Sequence, residues 1–558
     1  MSSSSGAVVV AMARRAERTI VQTLREHGAA SADRAVPLSL SRPGSRAALK
    51  RLVRREAVRE SGDRHWLDES AYETMRDGRR VRAVFAIIMV AAIVIAIVAF
   101  GAFRAEAQTP APRPDQTAFR GLYEELVETN TTLSVGSCTL AAERMGARLL
   151  AAGYPAADVR VLATPERPKD GNLAAVLRGS DPSAPPLLLL AHIDVVEANR
   201  ADWERDPFTL IEEGGYFYAR GAIDDKAQAA VWVDTMVRLR AEGFVPRRDI
   251  KIALTCGEET SDTWNGVEWL LETHPDALSA GFALNEGARG RLDADGNRLA
   301  LEIQAGEKVY QDFQLEITNP GGHSSRPVPD NAIDRLANGL VRLWDQPFPL
   351  EVNATVRAYL DAMAGVAPAL AADLRAVAAA RPDPAAAARL SATDPGLNSM
   401  MRTTCTPTMV NAGHAPNALP QRARANVNCR ILPGHTATEV KADLERVIAD
   451  PGIVVTLVGE PDPVSPPPPL TPAILDPILA AAAAHWPGVP VVPSMATGAT
   501  DGRFTNAAGI PTYGVTGLFG DPDGGGTHGL NERIRVRSLY ESRDFLFDLV
   551  KAYAVQRD

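Results

Sequence analysis

Five stretches of the chain place metal-binding or proton-moving side chains directly after apolar runs or in a glycine-rich loop. The first, Leu188–Asp194 (LLLAHID), is a buried-strand pattern ending in His192, with Asp194 two residues later. Imidazole is a common ligand for divalent cations, and a carboxylate on its other ring nitrogen fixes tautomer and orientation. The second, Tyr218–Lys226 (YARGAIDDK), leads from a short strand through a glycine turn to Asp224 and Asp225, then into a helix. The third, Ile252–Glu259 (IALTCGEE), is an apolar strand ending in Glu258 and Glu259. Adjacent glutamates at a strand end repel each other, and nearby cations relieve that repulsion. The fourth, Ala283–Gly287 (ALNEG), carries Glu286, and the fifth, Gly526–Glu532 (GTHGLNE), is a glycine-rich loop carrying His528. Each group alone reads as an ordinary surface polar residue. Together, two imidazoles and three carboxylates suit a pair of divalent ions sharing one bridging carboxylate, the equipment of metal-assisted hydrolysis.

The surrounding patterns are those of an α/β protein. Helical spacing over Phe119–Val127 and Leu140–Ala152, with strands at Val159–Leu162, Asn172–Leu177 and Leu187–Ala191, predicts a doubly wound sheet covered on both faces. Such sheets bind ligands at the carboxyl ends of their strands, where four of the motifs lie. The strand pattern Lys308–Thr318 opens a second, α+β region. Its helix over Thr436–Ala449 starts with the capping-box spacing Thr436/Glu439, and Ile453–Val458 closes it. The Ala-rich stretch Asp345–Asn398 is helical in pattern and is expected to enlarge this region. Ser465–Leu470 (SPPPPL) leads back to helices at Ala473–Trp486 and Val536–Val550. The resulting division is a catalytic domain of residues 116–307 and 464–558, interrupted by a lid domain, 308–463.

The 558 residues are too many for one core, and 46% hydrophobic with 23% charged residues is ordinary for globular domains. The net charge of −9 is uneven: residues 1–82 hold 17 Arg/Lys against 10 Asp/Glu, so the remainder is strongly acidic. Four cysteines, none in C-x-x-C spacing, exclude a structural zinc site built from four thiolates and a disulfide scaffold. In residues 1–74, helical spacing at Ala11–His27 and Arg46–Val53 precedes a hairpin at Ala57–Leu67 around Ser61-Gly62-Asp63. Helix, helix, hairpin resembles a small winged-helix module; the rival reading is a basic solvated tail. The pattern names no recognition helix, and nucleic acid is not an expected partner. Ala83–Phe103 is 21 residues without a charge, long enough for one transmembrane helix. Arg76, Arg79, Arg80 and Arg82 precede it, which predicts a cytoplasmic N-terminus and an exported, membrane-anchored body. A signal peptide starting at Met75 and cleaved after Ala107 would instead leave a soluble periplasmic enzyme. Residues 104–115 form a Pro-rich linker.

In combination the motifs resemble the acetylornithine deacetylase, succinyl-diaminopimelate desuccinylase and carboxypeptidase family of co-catalytic zinc metallopeptidases, from about Gln116 onward. DWERDPF, ARGAIDDK and GEE are similar to its carboxypeptidase S and N-acyl-amino-acid hydrolase branch; HIDVVE departs from it, with Glu197 where proline is common. The resemblance implies two zinc ions per subunit, with cobalt or manganese as alternatives. His192 and Glu286 would bind one, Glu259 and His528 the other, and Asp224 both. Asp194 would orient His192, Glu258 would be the general base, and the Asp224–Asp225 peptide would be cis. His323, in NPGGHSSRP, would help hold the tetrahedral oxyanion, commonly in the partner subunit of a homodimer built through a ferredoxin-like lid. Asn417 and Arg430 would bind substrate, with Arg422 and Arg424 as alternatives to Arg430, and Thr500 and Asp501 would line the site. Cys405 and Cys429 lie on two lid strands and are candidates to pair, whereas Cys256 reads as a buried core thiol and His414 as a structural loop residue. The implied activity is hydrolysis of the amide beside a free carboxylate in short peptides or N-acyl amino acids. A carboxypeptidase or dipeptidase is favoured over an aminoacylase or deacetylase. The rival from another class is a non-enzymatic, membrane-anchored binding protein, against which the complete set of catalytic residues stands.

Overall fold

The computed structural model describes residues 4–40, 44–76, 113–260 and 263–557, and the chain divides into two units, Met1–Ala111 and Pro112–Asp558. The first unit contains helices Ser4–Glu26 and Ser45–Arg54 and the hairpin Val58–Ser61/Arg64–Leu67. Val36 bridges His65 beside that hairpin. Ile20, Leu24, Leu49, Leu52 and Leu67 close a core of its own. The expected membrane span Ala83–Phe103 lies outside the described residues; among the described residues no helix is long and apolar enough to cross a membrane.

The second unit is organised by a ten-stranded mixed sheet. At its centre Leu187–His192 lies parallel between Ile250–Thr255 and Phe282–Asn285, and Thr512–Gly514 extends the parallel block. Leu187–His192 is buried at every position, which explains its unbroken apolar run. Helix Lys226–Ala241 is buried nearly all round. Strand Arg167–Leu177 joins antiparallel to Ile250–Thr255, and Arg298–Glu307 joins antiparallel to Thr512–Gly514. Because the three central strands are parallel neighbours, the residues that follow them emerge along one edge of the sheet.

The lid has four antiparallel strands, Val309–Thr318, Thr404–Ala412, Arg422–Ile431 and Val454–Val458, in spatial order second, third, first, fourth. Helices Ala332–Asp345 and Ala437–Ile448 share its core, giving the βαββαβ order of a ferredoxin-like fold. The capping box forms: Glu439 N–H donates to the Thr436 hydroxyl, and the Glu439 carboxylate accepts from Thr436 N–H. The Ala-rich helices do not enlarge the lid. From Ala354–Val366 to Pro395–Met400 their apolar faces pack with Ala300, Val492 and Met495 of the catalytic sheet.

All four cysteines are paired. Cys405 and Cys429 stand directly opposite on neighbouring lid strands. Cys256 is not a free core thiol but is bonded to Cys138, at the start of helix Cys138–Ala151. Their 118-residue separation left no local trace in the sequence.

Candidate metal centre and active site

His192 closes its strand with Nε2 3.2 Å from Asp224 Oδ1 and 3.7 Å from Glu286 Oε1. His528 sits in the left-handed region at φ 58°, with Nε2 3.0 Å from Glu259 Oε2 and 3.3 Å from Asp224 Oδ2. Two groups of donor atoms result, His192/Asp224/Glu286 and Asp224/Glu259/His528, each with its atoms within 4.8 Å of one another. Asp224 belongs to both and turns one carboxylate oxygen toward each imidazole. The peptide between Asp224 and Asp225 is cis. Burial pushes Glu286 up to about 8, and hydrogen bonds to Asp224 and Glu259 raise His528 to about 10. Asp224 is held ionised by the two imidazoles, whereas Glu286 and Glu259 resist ionisation, which marks a cluster short of positive charge. Divalent cations supply that charge, so the donor set fits a dinuclear centre.

Asp194 does more than face His192. Its carboxylate accepts the backbone N–H groups of Glu258 (3.3 Å) and Glu259 (3.0 Å), clamping the turn that carries both. His192 Nδ1 lies 3.1 Å from the Asp194 backbone carbonyl and 3.6 Å from its carboxylate. The same side chain that follows the first imidazole therefore also positions the third motif. Glu258 lies outside both ligand groups, with Oε1 3.8 Å from the buried Arg503 Nη1. Burial, followed by repulsion from Glu286, pushes the Glu258 carboxyl well above its ordinary range.

A buried pair absent from the sequence-based expectations joins two of the motifs. Glu532 accepts from Arg220 Nη1 (2.7 Å) and from the backbone N–H groups of Gly221, Ile223 and Asp224 at 3.0, 2.9 and 3.2 Å. Arg220 also donates to the Gly529 carbonyl at 2.9 Å. The turn that presents Asp224 and the loop that presents His528 are thus tied together. Both residues stood within quoted motifs, ARGAIDDK and GTHGLNE, but nothing local marked them as partners.

Residues 188–552 match the peptidase family M20/M25/M40. The chain belongs to this family. It is 31% identical over 386 residues to the N-fatty-acyl-amino acid synthase/hydrolase PM20D1 of Homo sapiens, covering 67% of this chain and 75% of that one. A probable carboxypeptidase S-like 2 of Dictyostelium discoideum is 28% identical over 385 residues, covering 67% and 73%. Among solved structures, the M20 family metallo-carboxypeptidase Sso-CP2 of Sulfolobus solfataricus superimposes with a TM-score of 0.60 at 17% identity, covering 79% of this chain and all of that one.

The remaining expected site residues of this M20 chain are distributed unequally. Thr500 and Asp501 are buried, and Asp501 lies in the field of Glu258 and His192. Asp501 accepts from Thr255 Oγ1 (2.9 Å) and Asn265 Nδ2 (2.6 Å). The Thr500 hydroxyl accepts from Asn285 Nδ2 at 3.2 Å, and its N–H donates to the buried Glu307 at 2.7 Å. Both brace strand ends. Arg422 and Arg424 are paired with Glu316. Arg430, farther along the same strand, stacks 4.7 Å from the Tyr310 ring and lies in the field of Arg503 and Asp462. The geometry therefore separates Arg430 from its two alternatives. His323 and Asn417 meet on an exposed part of the lid: Gly322–His323 pairs with Ala418–Leu419, and Ser324 N–H donates to the Asn417 carbonyl at 3.1 Å. Ser325 occupies His323 Nδ1, at 2.8 Å from its hydroxyl. Among the described residues, no hydrogen bond or ion pair of His323 reaches the donor cluster of its own chain. His414 is exposed in the adjoining loop.

Proposed function

We propose that this M20 protein is a dinuclear zinc hydrolase that cleaves the amide beside a free carboxylate in short peptides or N-acyl amino acids. The observation that carries this reading is Asp224 set between two imidazoles, with Glu258 beside the donor set but outside it. His192, Asp224 and Glu286 would hold one ion, and Asp224, Glu259 and His528 the other. When bound, two divalent cations would lower the pKa of a coordinated water and polarise the scissile carbonyl. Glu258, outside the donor set, would serve as the proton carrier, accepting a proton from the attacking water and delivering it to the leaving nitrogen. Arg430 receives the substrate carboxylate by paired charge-assisted hydrogen bonds, and Asn417 is the second substrate-binding group. His323, also from the partner, donates to the developing oxyanion. N-acyl amino acids present the same bond and the same carboxylate as a dipeptide. The likeness to PM20D1 favours them as much as the likeness to a carboxypeptidase S-like protein favours peptides. The 21-residue uncharged run Ala83–Phe103 supports an exported body, anchored or released.

Glu258→Gln is the decisive variant. It should bind as much metal as the parent while kcat on a panel of dipeptides and N-acyl amino acids falls by about 10²–10⁴. Full hydrolysis by that variant would overturn the mechanism. The same panel assayed with zinc, cobalt and manganese identifies the metal and the preferred acyl group.

A further inference from the structure

We infer that the N-terminal unit binds duplex nucleic acid through helix Ser45–Arg54 and the hairpin that follows it. Arg46, Lys50, Arg51 and Arg54 lie on this helix and Arg55 caps it, with no acidic residue among them. Arg46, Lys50, Arg54 and Arg55 are exposed, and Arg51 is half-buried. The opposite face, Ala48, Leu49 and Leu52, is fixed in the unit's own core. The cations are therefore held in one orientation by a packed helix.

Three other positive groups of this unit face a carboxylate, Arg25 with Glu69, Arg59 with Asp68 and His65 with Glu60. None of the five has an ion pair or side-chain hydrogen bond among the described residues. Uncompensated like charge on one helix disfavours the isolated helix, and a polyanion removes that repulsion. The hairpin Val58–Ser61/Arg64–Leu67 starts three residues after Arg55, with exposed Gly62, Asp63 and Arg64 at its tip. A helix about 10–12 Å across fits a major groove about 12 Å wide, where a flanking hairpin reaches the phosphate backbone. An anionic membrane surface is the competing partner. Surface-seeking helices add apolar side chains that enter the bilayer. Among the described side chains up to Met75, no large hydrophobic one is exposed. The observations therefore favour nucleic acid.

The test uses the full metal-loaded chain and a fluorescent mixed-sequence DNA duplex, with anisotropy read between about 50 and 200 mM salt. Binding is expected, with log K falling linearly with log salt at a slope of about −0.9 per phosphate neutralised. Replacing Arg46, Lys50 and Arg54 together by Gln should reduce that slope by about three and weaken binding at least about tenfold. Circular dichroism and amide hydrolysis should stay at parental values, because these side chains are exposed. The double variant Arg46→Lys/Arg54→Lys should keep the salt slope. The inference falls if no duplex binds at the lowest salt, if the Gln variant binds as tightly as the parent, or if phosphatidylserine vesicles are bound while the duplex is not.

Discussion

Arg220 and Glu532 tie together the turn that carries Asp224 and the loop that carries His528. Both are buried, and Glu532 also satisfies three backbone N–H groups of the Asp224 turn. Glu532→Ala would leave the Arg220 charge buried and uncompensated, which costs about 3–5 kcal/mol. The expected outcome is a lower unfolding midpoint and a metal content below that of the parent, measured by denaturant titration and elemental analysis. A variant as stable and as fully metallated as the parent would remove Glu532 from this role. Glu307 offers a pH test. Burial raises it from 4.5 to about 7, despite the Arg503 field and the Thr500 N–H. The folded state then holds this proton more tightly than the unfolded chain does. Its contribution is complete below about 4.5 and is lost as pH rises through about 7, for a difference of about 3 kcal/mol. Glu307→Gln should remove that part of the slope, so the stability gap between parent and variant should shift by this amount from acid to neutral pH. Parallel stability curves for the two proteins would show that Glu307 titrates normally.

At the scale of elements, the Cys138–Cys256 bond joins the first turn of a helix to the turn that carries Glu258 and Glu259. It closes a span of 118 residues, against 24 for Cys405–Cys429. In the chain-entropy account the longer closure stabilises by about 4–5 kcal/mol and the shorter by about 3–4. Cys138→Ser/Cys256→Ser should therefore lose more stability than Cys405→Ser/Cys429→Ser in calorimetry under oxidising conditions. The reverse order would mean that local geometry outweighs loop length. This bond also marks what was legible in the chain. Parallel central strands announce themselves as unbroken apolar runs, so the strand ends carrying His192, Glu258, Glu259 and Glu286 could be read directly. The capping box at Thr436 and the alternation of the lid strands were equally local. Cys138–Cys256, Arg220–Glu532 and the seat of the Ala-rich helices were not legible. Each depends on which distant surfaces meet, and no periodicity encodes that. For Thr500 and Asp501 the motif gave no sign of the hydrogen bonds to Asn285, Thr255 and Asn265, which again join distant segments.

At the scale of the whole molecule, the lid sheet ends in two edge strands, Thr404–Ala412 and Val454–Val458. Thr404–Ala412 is exposed from Thr406 to Ala412, and it displays Met409 and Val410. Helix Ala332–Asp345 displays Val341 and Trp344, the latter 85% exposed. Natural proteins blunt or cover long apolar edges, and a second copy related by a two-fold axis would cover this one symmetrically. Pairing there would also give His323 a site to complete, since among the described residues no hydrogen bond or ion pair ties it to the donor cluster of its own chain. Val410→Lys with Trp344→Glu should yield a monomer by sedimentation that keeps its metals and loses hydrolysis. Mixing supplies the sharper test. Glu258→Gln and His323→Ala should each be nearly inactive alone. After subunit exchange in equal amounts, half the dimers contain one of each, and one of their two sites combines an intact Glu258 with an intact partner His323. Activity should then recover to about a quarter of the parent. Recovery absent after verified exchange would place His323 outside the reaction or within its own subunit's site.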